Sequence, residues 1–125
     1  MKHPYKESIL DHYKHPHNYG LILKPDFKAK EENVFCGDSI EISLKISKGK
    51  INDARFRGSG CVISQAAASV LTDHIKQKSV SKVENISINA LVKLLGTDLS
   101  PTRMKCAEIS LIALKKALKL INTSI

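Results

Sequence analysis

Ser39-Ile40-Glu41-Ile42-Ser43-Leu44-Lys45-Ile46-Ser47 alternates without a break, apolar side chains at the even positions and polar ones at the odd. A period of two marks a strand with one buried face. Lys48-Gly49-Lys50 then turns the chain, and Ile51 to Arg57 reads as a second strand, with Ala54 and Phe56 inward and Arg55 and Arg57 outward, so the two strands make an antiparallel hairpin. The hairpin ends in Gly58-Ser59-Gly60. Beyond it the period changes: from Cys61 to about Lys76, Val62, Ala66, Ser69, Val70 and Asp73 recur at helical spacing around an Ala66-Ala67-Ala68 run suited to close packing.

Toward the N-terminus, Tyr5 to Tyr13 reads as a short helix with Ile9 and Tyr13 on one side, stopped at His15-Pro16 because the residue before proline avoids the α region. Asn18, Tyr19 and Gly20 turn the chain. Leu21 to Lys24 is expected to be a short strand, and Lys28 to Asn33 a polar stretch leading to Val34 and Phe35. Toward the C-terminus, Lys78 to Asn85 is a polar break and Ile88 to Leu95 a helix closed by Gly96. A last helix after Pro101 carries Ile109, Ile112, Ala113, Leu120 and Ile121 as an apolar stripe and Lys115, Lys116 and Lys119 as a wet one.

No repeat, low-complexity tract or long linker divides the 125 residues, so residues 1–125 are expected to form one domain. The chain is 42% hydrophobic and 26% charged, a globular composition rather than a disordered one. The apolar-rich segment 107–121 is broken by Glu108, Ser110 and three lysines and is too short to span a bilayer. The N-terminus lacks the apolar run of a secretory signal. Three cysteines, none in a Cys-x-x-Cys pair, fit neither a disulfide framework nor a zinc ribbon, and a reduced, cytoplasmic protein is expected. The net charge of +8 raises the question of nucleic acid, but lysine is spread over nearly every segment and no basic stripe is interleaved with aromatics, so neither nucleic acid nor membrane is an expected partner.

The three thiols carry the chemistry. Cys36 stands in Phe35-Cys36-Gly37-Asp38 before the first strong strand, Cys61 follows Gly58-Ser59-Gly60 where strand passes into helix, and Cys106 is expected to open the last helix behind Pro101, Arg103 and Lys105. A helix N-terminus favours thiolate over thiol. Taken singly, a cysteine is more often a small buried hydrophobe than a ligand. Three at element ends beside glycine, arginine or lysine read together as nucleophiles or ligands, and Asp38, otherwise a turn residue, adds the fourth donor that a tetrahedral metal needs. His3, His12, His15, His17 and His74 compete for that place, three of them clustered at the end of the first helix. A thiol enzyme built on Cys61 is excluded by distance, since His74 lies three turns down the same helix.

Cys36-Gly37-Asp38, Gly60-Cys61 before an Ala/Ser-rich helix, and Lys105-Cys106 in the last helix, with Asp11-His12-Tyr13, Pro16, Asn18 and Gly20 near the start, resemble the U-type iron-sulfur scaffold family over essentially the whole chain. That family comprises IscU, SufU and the N-terminal domain of NifU. The resemblance implies an α+β fold, a small antiparallel sheet with helices on one side and the cysteines converging at one end. It implies a scaffold that takes persulfide sulfur from a cysteine desulfurase, builds a 2Fe-2S cluster and passes it to apo iron-sulfur proteins. The SufU branch instead implies zinc and a sulfur relay.

Features of both branches are present. The step from Cys61 to Cys106 lacks the insertion of SufU members, as in IscU and NifU. Lys105 stands where IscU members have histidine, which leaves Asp38 as fourth ligand beside Cys36, Cys61 and Cys106. Leu99-Ser100-Pro101-Thr102-Arg103 replaces the segment that a dedicated Hsp70-type chaperone reads in IscU members, which argues against that partner. By analogy Cys36 is the expected sulfur acceptor, with Cys106 the alternative, and Arg103 and Lys105 are expected to act on the thiols or on Asp38 from outside the ligand set.

Overall fold

The computed structural model describes residues 6–33 and 37–123, the side chains to residue 121. The elements run α1 (Glu7–Lys14), β1 (Phe27–Asn33), β2 (Asp38–Ser47), β3 (Lys50–Ser59), α2 (Val62–Ile75), α3 (Val80–Glu84), α4 (Ile88–Leu95) and α5 (Pro101–Thr123). The expected α+β architecture is present: one antiparallel sheet in the order β1-β2-β3, with α5 against β1 and β2 and α2 against β3. Ile40, Ile42, Leu44, Ala54 and Phe56 are wholly buried beneath those helices. Each large side chain so buried contributes roughly 1.5–3 kcal/mol, so this face holds the sheet to the helices.

The β2–β3 hairpin turns through Lys48 and Gly49, both at positive φ (53° and 74°), the pairing of torsions that matches strand twist in a two-residue loop. Between Lys45 and Ile46 the register shifts, so that Lys45 faces Asp53 and Ile46 faces Ile51. The extra residue puts both Ile51 and Ala54 on the buried side.

Four local expectations are corrected. Residues 21–24 form no strand; they belong to a strap in which Ile22 is buried and its N–H donates to Ser43 Oγ at 3.2 Å. The third strand is instead Phe27–Asn33, paired with β2 from Phe27 opposite Leu44 to Asn33 opposite Asp38. It is a sheet edge, where lysine and glutamate are tolerated and discourage pairing with other chains. After Phe27 its half-buried side holds only Ala29, Glu31 and Asn33, which hides the alternation, and Lys116 Nζ on α5 anchors it through Glu31 Oε1 at 2.6 Å. The polar break after α2 contains α3, capped by Ser79 Oγ, with Val83 buried. On α5 the inward stripe runs Cys106, Ile109, Ser110, Ala113, Leu114, Ala117 and Leu118, whereas Leu120 is 43% exposed. Expectations that rest on Tyr5, Val34, Phe35, Cys36 and His3 fall outside the described residues.

Candidate metal centre

Asp38, Cys61 and Cys106 meet at the end of the sheet nearest the start of α2. Asp38 is the first residue of β2 and only 1% exposed. Its Oδ1 accepts the backbone N–H of Cys61 at 2.8 Å, and the Cys61 thiol lies 3.7 Å from its Oδ2. Two glycines make this approach possible. A Cβ on Gly60, whose φ is +144°, would lie 2.1 Å from Asp38 Oδ1, and one on Gly58 would lie 2.0 Å from the Ser39 carbonyl oxygen. Gly37, by contrast, has open space around it and answers only to its φ of +70°.

Cys61 is the N-cap of α2. Its Sγ accepts the Ser64 N–H at 3.4 Å, while Ser64 Oγ donates back to the Cys61 carbonyl at 3.0 Å. Sulfur here takes the role that serine or aspartate oxygen usually plays, satisfying one of the free amides of a helix start. Cys106 is placed differently from expectation. α5 begins at Pro101, capped by Ser100 Oγ on the Arg103 N–H, so Cys106 sits in its second turn on the core-facing stripe, 1% exposed. It reaches the site from the core side rather than from a helix end.

One donor atom from each of Asp38, Cys61 and Cys106 lies within 4.8 Å of the others. For a tetrahedral ion with metal–sulfur bonds of about 2.3 Å, ligand atoms stand roughly 3.8 Å apart, so a small side-chain adjustment closes the set. Two sulfurs and one carboxylate suit zinc or cluster iron better than a hard cation. The residues present therefore fit a metal. Cys36 lies outside the described residues. Arg103 and Lys105 are exposed on the first turns of α5, and Lys105 lines a surface hollow together with Glu31, Asn33 and Glu108.

A family model for the NifU-like N-terminal domain matches residues 4–123. The chain belongs to this family. Among NifU-like relatives, the zinc-dependent sulfurtransferase SufU of Bacillus subtilis is 36% identical over 129 aligned positions, covering 90% of this chain and 87% of that protein. The scaffold protein IscU of Buchnera aphidicola (subsp. Acyrthosiphon pisum) is 32% identical over 118 positions, covering 91% of each. A crystal structure from Fervidobacterium islandicum, described as a cluster assembly scaffold for the SUF system, superposes with a TM-score of 0.76 at 27% identity, covering 91% of this chain and 96% of that one. No helix among the described residues of this NifU-like chain is long and apolar enough to cross a membrane.

A second group of side chains was named in the sequence but not assembled there. His12 Nδ1 is 2.7 Å from Ser69 Oγ, which also accepts the His17 N–H at 2.8 Å. His17 Nδ1 pairs with Asp73 Oδ2, and Asn18 Nδ2 donates to Asp73 Oδ1 at 2.9 Å. Burial, then the neighbouring His17, lower the pKa of His12. For Asp73, burial pushes upward, but hydrogen bonds from His17 and Asn18 outweigh it and hold the carboxyl below its ordinary value. Histidine count alone signalled this group; the partners on α2 read only as helix residues.

Proposed function

We propose that this chain is a scaffold for iron-sulfur cluster assembly, a carrier rather than an enzyme. It receives sulfur from a cysteine desulfurase, holds a transient 2Fe-2S cluster on Cys36, Asp38, Cys61 and Cys106, and releases it to apo iron-sulfur proteins. The observation that carries the proposal is the meeting of Asp38 with two cysteine sulfurs within 4.8 Å. A cargo site needs a ligand that lets go, and a carboxylate holds soft iron more weakly than thiolate does. Asp38→Ala should therefore retain the cluster longer and pass it on more slowly; transfer at the parental rate would remove this role from Asp38.

In the sulfur step the acceptor thiolate attacks the terminal sulfur of the donor persulfide, forming a new S–S bond while the donor cysteine leaves as thiolate. We assign this to Cys36. Cys106, the alternative acceptor, is 1% exposed, which keeps a protein-borne persulfide from its sulfur. Mass spectrometry after incubation with a desulfurase and cysteine reads the answer as one added sulfur on one cysteine.

A zinc-dependent sulfur relay is the second reading, favoured by the 36% identity to the Bacillus subtilis protein. Anaerobic reconstitution with iron, a sulfide source and reductant, followed by transfer to an apo-ferredoxin, separates the two. A visible cluster that moves supports the scaffold; bound zinc with no transferable cluster supports the relay and overturns the scaffold.

A further inference from the structure

We propose that His12 and His17 form a second site for a divalent cation of the zinc class, separate from the cysteine centre. The His12 and His17 rings stand with centroids 4.5 Å apart. Each ring has its Nδ1 engaged by a side chain of the same helix, Ser69 for His12 and Asp73 for His17. Nε2 is the nitrogen left to each ring. A carboxylate on the far nitrogen of a ligating imidazole fixes the tautomer and raises the basicity of the near one, and this outer partner is the usual companion of a histidine ligand.

The support extends a further step. Asp73 is itself oriented by Asn18 at 2.9 Å, and Asn18 also donates to Thr72 Oγ1 at 3.1 Å. Ser69 is fully buried, and its Oγ has lone pairs for both the His17 amide and a His12 Nδ1–H. Binding requires neutral imidazole, and the lowered pKa of His12 agrees with that. His12 and His17 would supply one nitrogen each, and water would complete an open site. From Cys61 to Asp73 along α2 is about 18 Å at 1.5 Å per residue, so the ion here does not share ligands with the cysteine centre.

Calorimetric titration of the whole chain with Zn2+ at neutral pH tests this, with His17→Ala and Asp73→Asn alongside. Both positions are about half exposed, and circular dichroism checks that the variants stay folded. The expected result is two equivalents in the parent and loss of one in His17→Ala. Asp73→Asn should keep that equivalent but weaken it about 10- to 100-fold. A parent titration that shows no equivalent dependent on His17 overturns the site. So does an Asp73→Asn affinity equal to the parent's, which would mean an exposed imidazole pair without built support. His17 belongs to no part of the cysteine centre, so the equivalent lost on its replacement identifies this site whether or not the thiols bind zinc.

Discussion

α2 carries a cluster at its start and another further along, and the two are built by opposite means. At the N-terminus, backbone meets backbone and a buried carboxylate: Gly58 on Ser39, Gly60 on Asp38, and the Cys61 amide on Asp38 Oδ1. Around Ser69 and Asp73, side chains reach across to α1 and to the connection after it, and half of that group is open to solvent. The first arrangement has no room for an added atom, whereas the second loses one hydrogen bond at a time. Substitution should therefore separate them sharply.

Gly58→Ala is expected to have the largest effect. Its Cβ would lie 2.0 Å from the Ser39 carbonyl oxygen and 3.1 Å from Ile40 Cα, both backbone atoms of the central strand. β2 and β3 must part to admit it, at a cost of about 3 kcal/mol or more. A urea titration reads this as a large fall in midpoint. An unchanged midpoint would show that the strand end yields easily and would erase the contrast between the clusters.

Gly60→Ala comes next and acts mainly on the site. The φ of +144° strains any side chain, at about 1–3 kcal/mol, and the new Cβ meets the Asp38 carboxylate. That group can turn away only by giving up the Cys61 amide. Metal affinity should fall by more than tenfold beside the moderate loss of stability, and both are measurable in one preparation by competition with a chelator and by denaturation. Parental affinity would mean that Asp38 is not held in place by the glycine.

The hairpin, the glycines and α2 were legible in the sequence because one buried face imposes a strict period and glycines mark where chains touch. β1 was not, because after Phe27 the half-buried side of this edge strand holds only Ala29, Glu31 and Asn33 and shows no apolar alternation. Cys36, Asp38, Cys61 and Cys106 were read as one set from their residue types and order, and three of them do meet. The depth of Cys106 was missed, because a helix that starts five residues earlier turns a terminal position into a core one. The histidine group was legible only as a count: hydrogen bonds across 52 to 57 residues leave no local pattern.

Ser69→Ala tests the second cluster by removing one oxygen that serves both His12 Nδ1 and the His17 N–H. A loss of about 1–2 kcal/mol is expected, the scale of one or two net hydrogen bonds. Amide exchange should quicken in α1 and residues 15–20 while the Cys61 amide, held by Asp38, keeps its protection. Equal quickening at both ends of α2 would show that the clusters act as one unit.

The smallest effect expected is a pH dependence at the same end of the helix. The pKa of His74 is lowered from 6.5, first by burial and then by Lys78, whose ammonium lies 3.5 Å from His74 Nδ1. The unfolded chain therefore takes up this proton more readily than the folded one. Stability is full above about 6.5 and declines as pH falls through that value toward the lower folded pKa. His74→Gln removes this contribution and flattens the slope below 6.5, and because other groups titrate in the same interval, the difference between parent and variant isolates His74. Identical slopes in urea midpoints would show that the imidazole titrates as it does in the unfolded chain. A change in metal affinity at the cysteine centre in the same variant would join the two ends of α2 that the structure keeps apart.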